Sequence, residues 1–90
     1  MAQFMSIHRS PGLSREEFAA TAPDVIESKH AKMQHVWVNI FEGFIVTLYE
    51  GENKEMVIKE FERLGFPYDE VHEIQIDMPR EGLEALAAGQ

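Results

Sequence analysis

The segment Phe61-Glu62-Arg63-Leu64-Gly65-Phe66-Pro67-Tyr68-Asp69-Glu70-Val71-His72-Glu73-Ile74 decides the fold, because it holds a helix end, a stop, a turn and a new strand in succession. Gly65 can take the left-handed conformation that ends a helix, and Pro67 blocks its resumption. Beyond the turn, Val71 to Met78 alternates, with His72, Ile74, Ile76 and Met78 on one side and Glu73, Gln75 and Asp77 on the other. That period of two predicts a fourth strand at a sheet edge. Upstream, Met56, Val57, Phe61 and Leu64 fall at helical spacing, and Asn53 is placed to cap the helix they define.

Working outward, Ala2 to Arg9 reads as a first strand, with Phe4, Ser6 and His8 on one side and Met5 and Ile7 on the other. Ser10-Pro11-Gly12-Leu13 is a turn cluster. Ser14 and Glu17 fit a capping box, in which each side chain meets the other residue's backbone amide. Phe18, Ala22, Val25, Ile26 and Met33 then predict a first helix from about Arg15 to about Lys32. Pro23 costs that helix an internal hydrogen bond, which predicts a kink or break near Ala20 to Ala22. Gln34 to Phe41 and Phe44 to Glu50 are rich in β-formers, with Glu42-Gly43 between them as a two-residue hairpin turn. That turn sets Phe41 against Phe44, Asn39 against Val46 and Trp37 against Leu48 on one face. Val36, Val38, Ile40, Ile45, Thr47 and Tyr49 take the other. Both faces are apolar, so both need cover.

Strand, helix, strand, strand, helix, strand is the order of an α+β, ferredoxin-like β-α-β-β-α-β domain: a four-stranded antiparallel sheet with two helices on one face. The domain spans residues 1–78, and residues 79–90 are left as a carboxyl-terminal tail or short helix. The uncovered sheet face amounts to roughly 400 Å² in flat projection, near the limit a monomer tolerates. A homodimer with sheets packed face to face or edge-assisted is the expected remedy. Folding of Gly82 to Ala88 back over its own sheet is the alternative.

Sixteen acidic residues against eight basic ones give a net charge of -8, which repels phosphate backbones and anionic lipid surfaces. Neither nucleic acid nor a membrane is an expected partner. No cysteine is present, which excludes disulfides and thiolate metal sites. The amino-terminal run Met1 to His8 has no secretory pattern, and a cytoplasmic protein is expected.

Candidate chemistry starts from four histidines, His8, His30, His35 and His72. First and fourth strands are antiparallel neighbours in this fold, so the end of one lies beside the start of the other. His8 and His72 are therefore expected to meet, with Glu70 or Glu73 completing a site for nickel or another divalent transition metal. As ordinary edge residues these histidines would carry no metal at all. A second candidate is a pocket between sheet and helices, lined by Phe4, Trp37 and Asn39 with Phe41 and His8, which would suit a small aromatic or apolar ligand or substrate. No nucleophile, carboxylate pair or phosphate loop accompanies it, so a non-enzyme is favoured. A plain interaction module is the third reading.

The opening Phe4-Met5-Ser6-Ile7-His8-Arg9, the Trp37 strand, the Phe44 to Tyr49 strand and the run Arg63-Leu64-Gly65-Phe66-Pro67-Tyr68-Asp69-Glu70-Val71 together resemble a family of small bacterial ferredoxin-like domains that includes nickel-binding proteins. The resemblance covers Phe4 to Ile74 or nearly so and implies the same fold, with a metal ion or small ligand as cargo. His8 is the one histidine it carries over. Nickel-binding members have histidines near the end of the second helix, where this chain has Phe61 and Phe66.

Overall fold

In the computed structural model, which describes residues 1–89, the chain runs β1 (Ala2–Arg9), α1 (Arg15–Glu27), β2 (Lys32–Asn39), β3 (Phe44–Gly51), α2 (Lys54–Leu64), β4 (Glu70–Ile74) and α3 (Arg80–Gly89). The four strands form one antiparallel sheet in the order β2-β3-β1-β4, the ferredoxin-like arrangement that the sequence predicts. β1 is central. Its residues Phe4, Ser6 and His8 stand opposite Tyr49, Thr47 and Ile45 on the helix-covered face, while Met5 and Ile7 stand opposite Leu48 and Val46 on the open one.

α2 anchors the covered face. Asn53 accepts from the Met56 amide at 3.0 Å, and Gly65, at φ 64, closes the helix while the Phe66 amide reaches back to the Phe61 carbonyl at 2.9 Å. The helix buries Val57, Glu60 and Phe61 against a core of Phe4, Ala31, Tyr49 and Val71. Phe61 meets Tyr49 edge-on, ring centres 5.1 Å apart. α1 begins with the predicted capping box, Ser14 and Glu17 exchanging bonds of 3.0 and 3.1 Å. It buries no residue at all.

Several boundaries differ from the sequence reading. α1 is continuous through Pro23 and ends at Glu27, well short of Lys32. Ser28 takes a left-handed φ of 51°, and the chain turns so that the His30 amide donates to the buried Glu60 carboxylate and Ala31 packs into the core. That tertiary bond competes with the helix and wins. Met33 consequently belongs to β2, which carries an irregularity between Met33 and His35. The hairpin loop is Ile40 to Gly43, so Asn39 faces Phe44, Trp37 faces Val46 and His35 faces Leu48. The register moves by two and the faces are preserved. β4 stops at Ile74 because its partner runs out: Ile74 already pairs with Gln3, one residue from the start of β1. Residues 80–89 form a third helix that leaves its own sheet uncovered, and Gln90 lies outside the described residues.

Gly43 closes the hairpin at φ 64, and a Cβ there would strike the Ser10 backbone, whose amide donates to the Gly43 carbonyl at 2.6 Å. Gly65 has the same φ and open space around it. Gly65→Ala should therefore cost about 1 kcal/mol, the left-handed penalty alone, whereas Gly43→Ala adds a backbone collision and should cost about 2–3 kcal/mol. Urea denaturation of the two variants checks the difference, and equal losses would refute the role of the Ser10 contact.

Candidate functional site

A cavity of about 510 Å³ lies between α1, the end of α2 and the covered face of the sheet. Phe18 and Val25 form its α1 wall, Met33, Val36 and Ile45 its floor, and Phe66 one end. α1 turns short side chains such as Thr21 and Ala22 towards it. Arg63 of α2 ties down the carboxyl-terminal part of α1, its Nη2 donating to the Asp24 carbonyl at 2.9 Å. Ser10, Thr21 and Asp24 are the polar residues of the lining.

Arg63 is itself fixed by Glu60, a fully buried carboxylate that accepts from the guanidinium at Nε and Nη2 and from the His30 amide. Burial alone would raise the Glu60 carboxyl. The donors from Arg63 and His30 outweigh it and hold the group below the usual carboxylate range. The same carboxylate adds to burial in pushing the neighbouring Tyr49 hydroxyl far up. The Tyr49 hydroxyl is enclosed, with no hydrogen-bond partner among the described residues.

His8 sits beneath the cavity end, fully buried, stacked on Phe66 at 3.8 Å and met edge-on by Phe61 at 4.8 Å. Its Nδ1 is 2.8 Å from the Pro67 carbonyl, which can only accept, so Nδ1 carries the proton. Nε2 is then the acceptor for the Ser6 hydroxyl at 2.7 Å, and Ser6 in turn accepts from Thr47. Both nitrogens are occupied in a neutral ring. Phe61 and Phe66, read in the sequence as a departure from a metal site, are the walls of the histidine's apolar box.

The expected meeting of His8 with His72 does not occur. His72 pairs with Met5 and Glu70 with Ile7, so both belong to the open face, while His8 belongs to the covered one. A change of parity by one residue is enough to separate them. Glu73 pairs with Phe4 on the covered side and is exposed at the sheet edge. His72 and Glu70 do meet, at 2.9 Å. Among the described residues no group of three or more His, Cys, Asp or Glu side chains is gathered for a metal. The expected pocket is divided in the same way. Phe4 is in the core, Trp37 and Asn39 face outward on the open side, and Phe41 is wholly exposed. The cavity that does form was invisible in the sequence, since it arises where α1, the end of α2 and the sheet come together rather than from any motif.

Burial pushes His8 below its ordinary value, against the Pro67 carbonyl and the Asp69 charge, which favour the charged ring. The unfolded chain therefore takes up this proton first, and stability is lost as pH falls below about 6.5. Glu60 contributes stability above about 4.3 that is lost as pH falls through its lower folded value. Unfolding free energies measured from pH 8 to pH 4 should show the first decline in the native chain and a shallower one in His8→Gln. An unchanged slope between pH 6.5 and 5 in that variant would show that His8 is not the group titrating.

No protein-family model and no curated protein matches this chain. Among solved structures, it is similar to the crystal structure of SCO4226 from Streptomyces coelicolor A3(2), with 27% sequence identity over 86% of this chain and 100% of that one, and a TM-score of 0.74. The chain and SCO4226 share the ferredoxin-like fold described above.

Proposed function

We propose that the chain is a small-ligand-binding domain, acting as a homodimer, that takes an apolar molecule into the cavity between α1 and the sheet. The observation that carries this reading is the cavity itself: about 510 Å³, walled mostly by aliphatic and aromatic side chains, under a helix none of whose residues is fully buried. That volume falls within the range of roughly 300–1,000 Å³ typical of small-molecule sites. Asp24 in the lining and the net charge of -8 favour a neutral or cationic ligand over an anion. Binding rather than catalysis is favoured because the nearest acid–base pair, Ser6 with His8, is fully enclosed and committed to internal hydrogen bonds. A chain without cysteine needs no oxidising compartment, which fits a cytoplasmic setting.

A second reading keeps the metal suggested by the resemblance and moves it to the open face, where Glu70 and His72 lie together at 2.9 Å. Two ligands from one copy would need two more from another. Nickel titration into the native chain and a His72→Ala variant tests it, and equal binding by both would end it.

For the cavity, the neutral fluorophore Nile red serves as the probe. Ala22→Trp places a large ring into the space from an exposed helix position and should weaken binding at least about tenfold, or 1.4 kcal/mol. Trp37→Phe alters only the open face and should leave affinity unchanged. Binding that tolerates the first substitution but not the second would place the probe on the sheet surface and overturn the reading.

A further inference from the structure

The chain carries two apolar surfaces that its own fold does not join. One is the open sheet face, where Met5, Trp37, Val46, Leu48, Ile74 and Met78 border a shallow groove. The other is α3, where Leu83 and Leu86 are 57% and 49% exposed on one helix flank. Apart from half-buried Gly82, every residue of α3 is exposed.

The link between them is fixed rather than loose. The Pro79 carbonyl accepts from the Gly82 and Leu83 amides at 3.0 and 3.2 Å, starting the helix abruptly. The Met78 side chain occupies the place where a Cβ on Gly82 would sit, 2.6 Å from its Cγ, so the turn is packed shut. The helix stands clear of its own sheet. The dimensions record this: the molecule measures 47 × 30 × 21 Å with a radius of gyration of 15.1 Å, against about 12 Å for a compact chain of this length.

We propose that α3 is an exchanged arm, docking across the open sheet face of a second copy of this chain while receiving that copy's α3 on its own. The occupant is set by fit. The helix has 10 residues, or about 15 Å, and the sheet it would cross is about 19 Å wide. Each copy buries surface twice in such an exchange, once on its sheet face of roughly 400 Å² and once on its own α3 stripe, so the area removed per partner approaches the ~800 Å² of a standard interface. A two-fold exchange engages both surfaces of both copies at once. The proposal rests on the homodimer proposed above and adds which element closes it.

Trp37, the only tryptophan, reports directly, since it lies in that groove and is 51% exposed in the single chain. Sedimentation and acrylamide quenching of Trp37 are measured on the full chain and on the double variant Leu83→Glu, Leu86→Glu, whose substituted positions are exposed and outside the core. The expected result is a native dimer with shielded Trp37 and a variant monomer in which quenching rises about twofold. A variant that stays dimeric with Trp37 shielded would show sheets packing without the arm, and a dimer with Trp37 open would place the interface elsewhere. Either overturns the arm and leaves the dimer standing. A native monomer with Trp37 open overturns both, and a native monomer with Trp37 shielded at all concentrations shows α3 folding back within one copy.

Discussion

A strand commits each successive side chain to the opposite face of its sheet, and in this protein the commitment that matters is made by β1. Lying between β3 and β4, β1 sorts Phe4, Ser6 and His8 to the interior and Met5 and Ile7 to the open side, and its neighbours must follow in register. A slip by one residue would bring His8, with its hydrogen-bonded chain to Ser6 and Thr47, out onto an apolar surface. The parity of β1 thus fixes the covered core, the identity of the open face and the separation of His8 from His72.

On the covered side, a second constraint governs how the helices sit. Glu60 is a carboxylate taken wholly out of water, which is costly unless the charge is met on several sides. It is met by Arg63 from its own helix and by the amide of His30 from the segment after α1. Arg63 then extends to the Asp24 carbonyl. One buried charge therefore positions α2, the turn after α1 and the last part of α1 together. The cavity lies between α1, the end of α2 and the sheet that this clamp brings together.

Features with local causes were legible in the sequence. The capping box of Ser14 and Glu17, the Asn53 cap and the Gly65 stop are written in a few adjacent residues, and the face assignments of β1 follow from simple alternation. What escaped the sequence had a distant cause. α1 ends early because Glu60, far along the chain, claims the His30 amide. The hairpin loop runs from Ile40 to Gly43, and its Gly43 carbonyl accepts from the Ser10 amide far back in the chain, a partner that no local pattern reveals. Alternation continues to Met78, yet β4 ends at Ile74 for want of a partner in β1. The same limit applies to the site: the histidines and aromatics were visible as residue types, but their distribution between two faces required the β1–β4 register.

That α1 walls a cavity without burying a side chain separates two demands that most binding proteins must meet with the same residues. Substitutions in a packed core alter volume and stability together, whereas those at exposed positions usually shift stability by less than about 0.5 kcal/mol. Positions such as Thr21 and Ala22 combine exposure with a view into the cavity. Drift along this helix can thus reshape the chamber while the sheet, the buried histidine and the Glu60 clamp stay intact. The scaffold is suited to diversification: one frame, with a replaceable panel on one side.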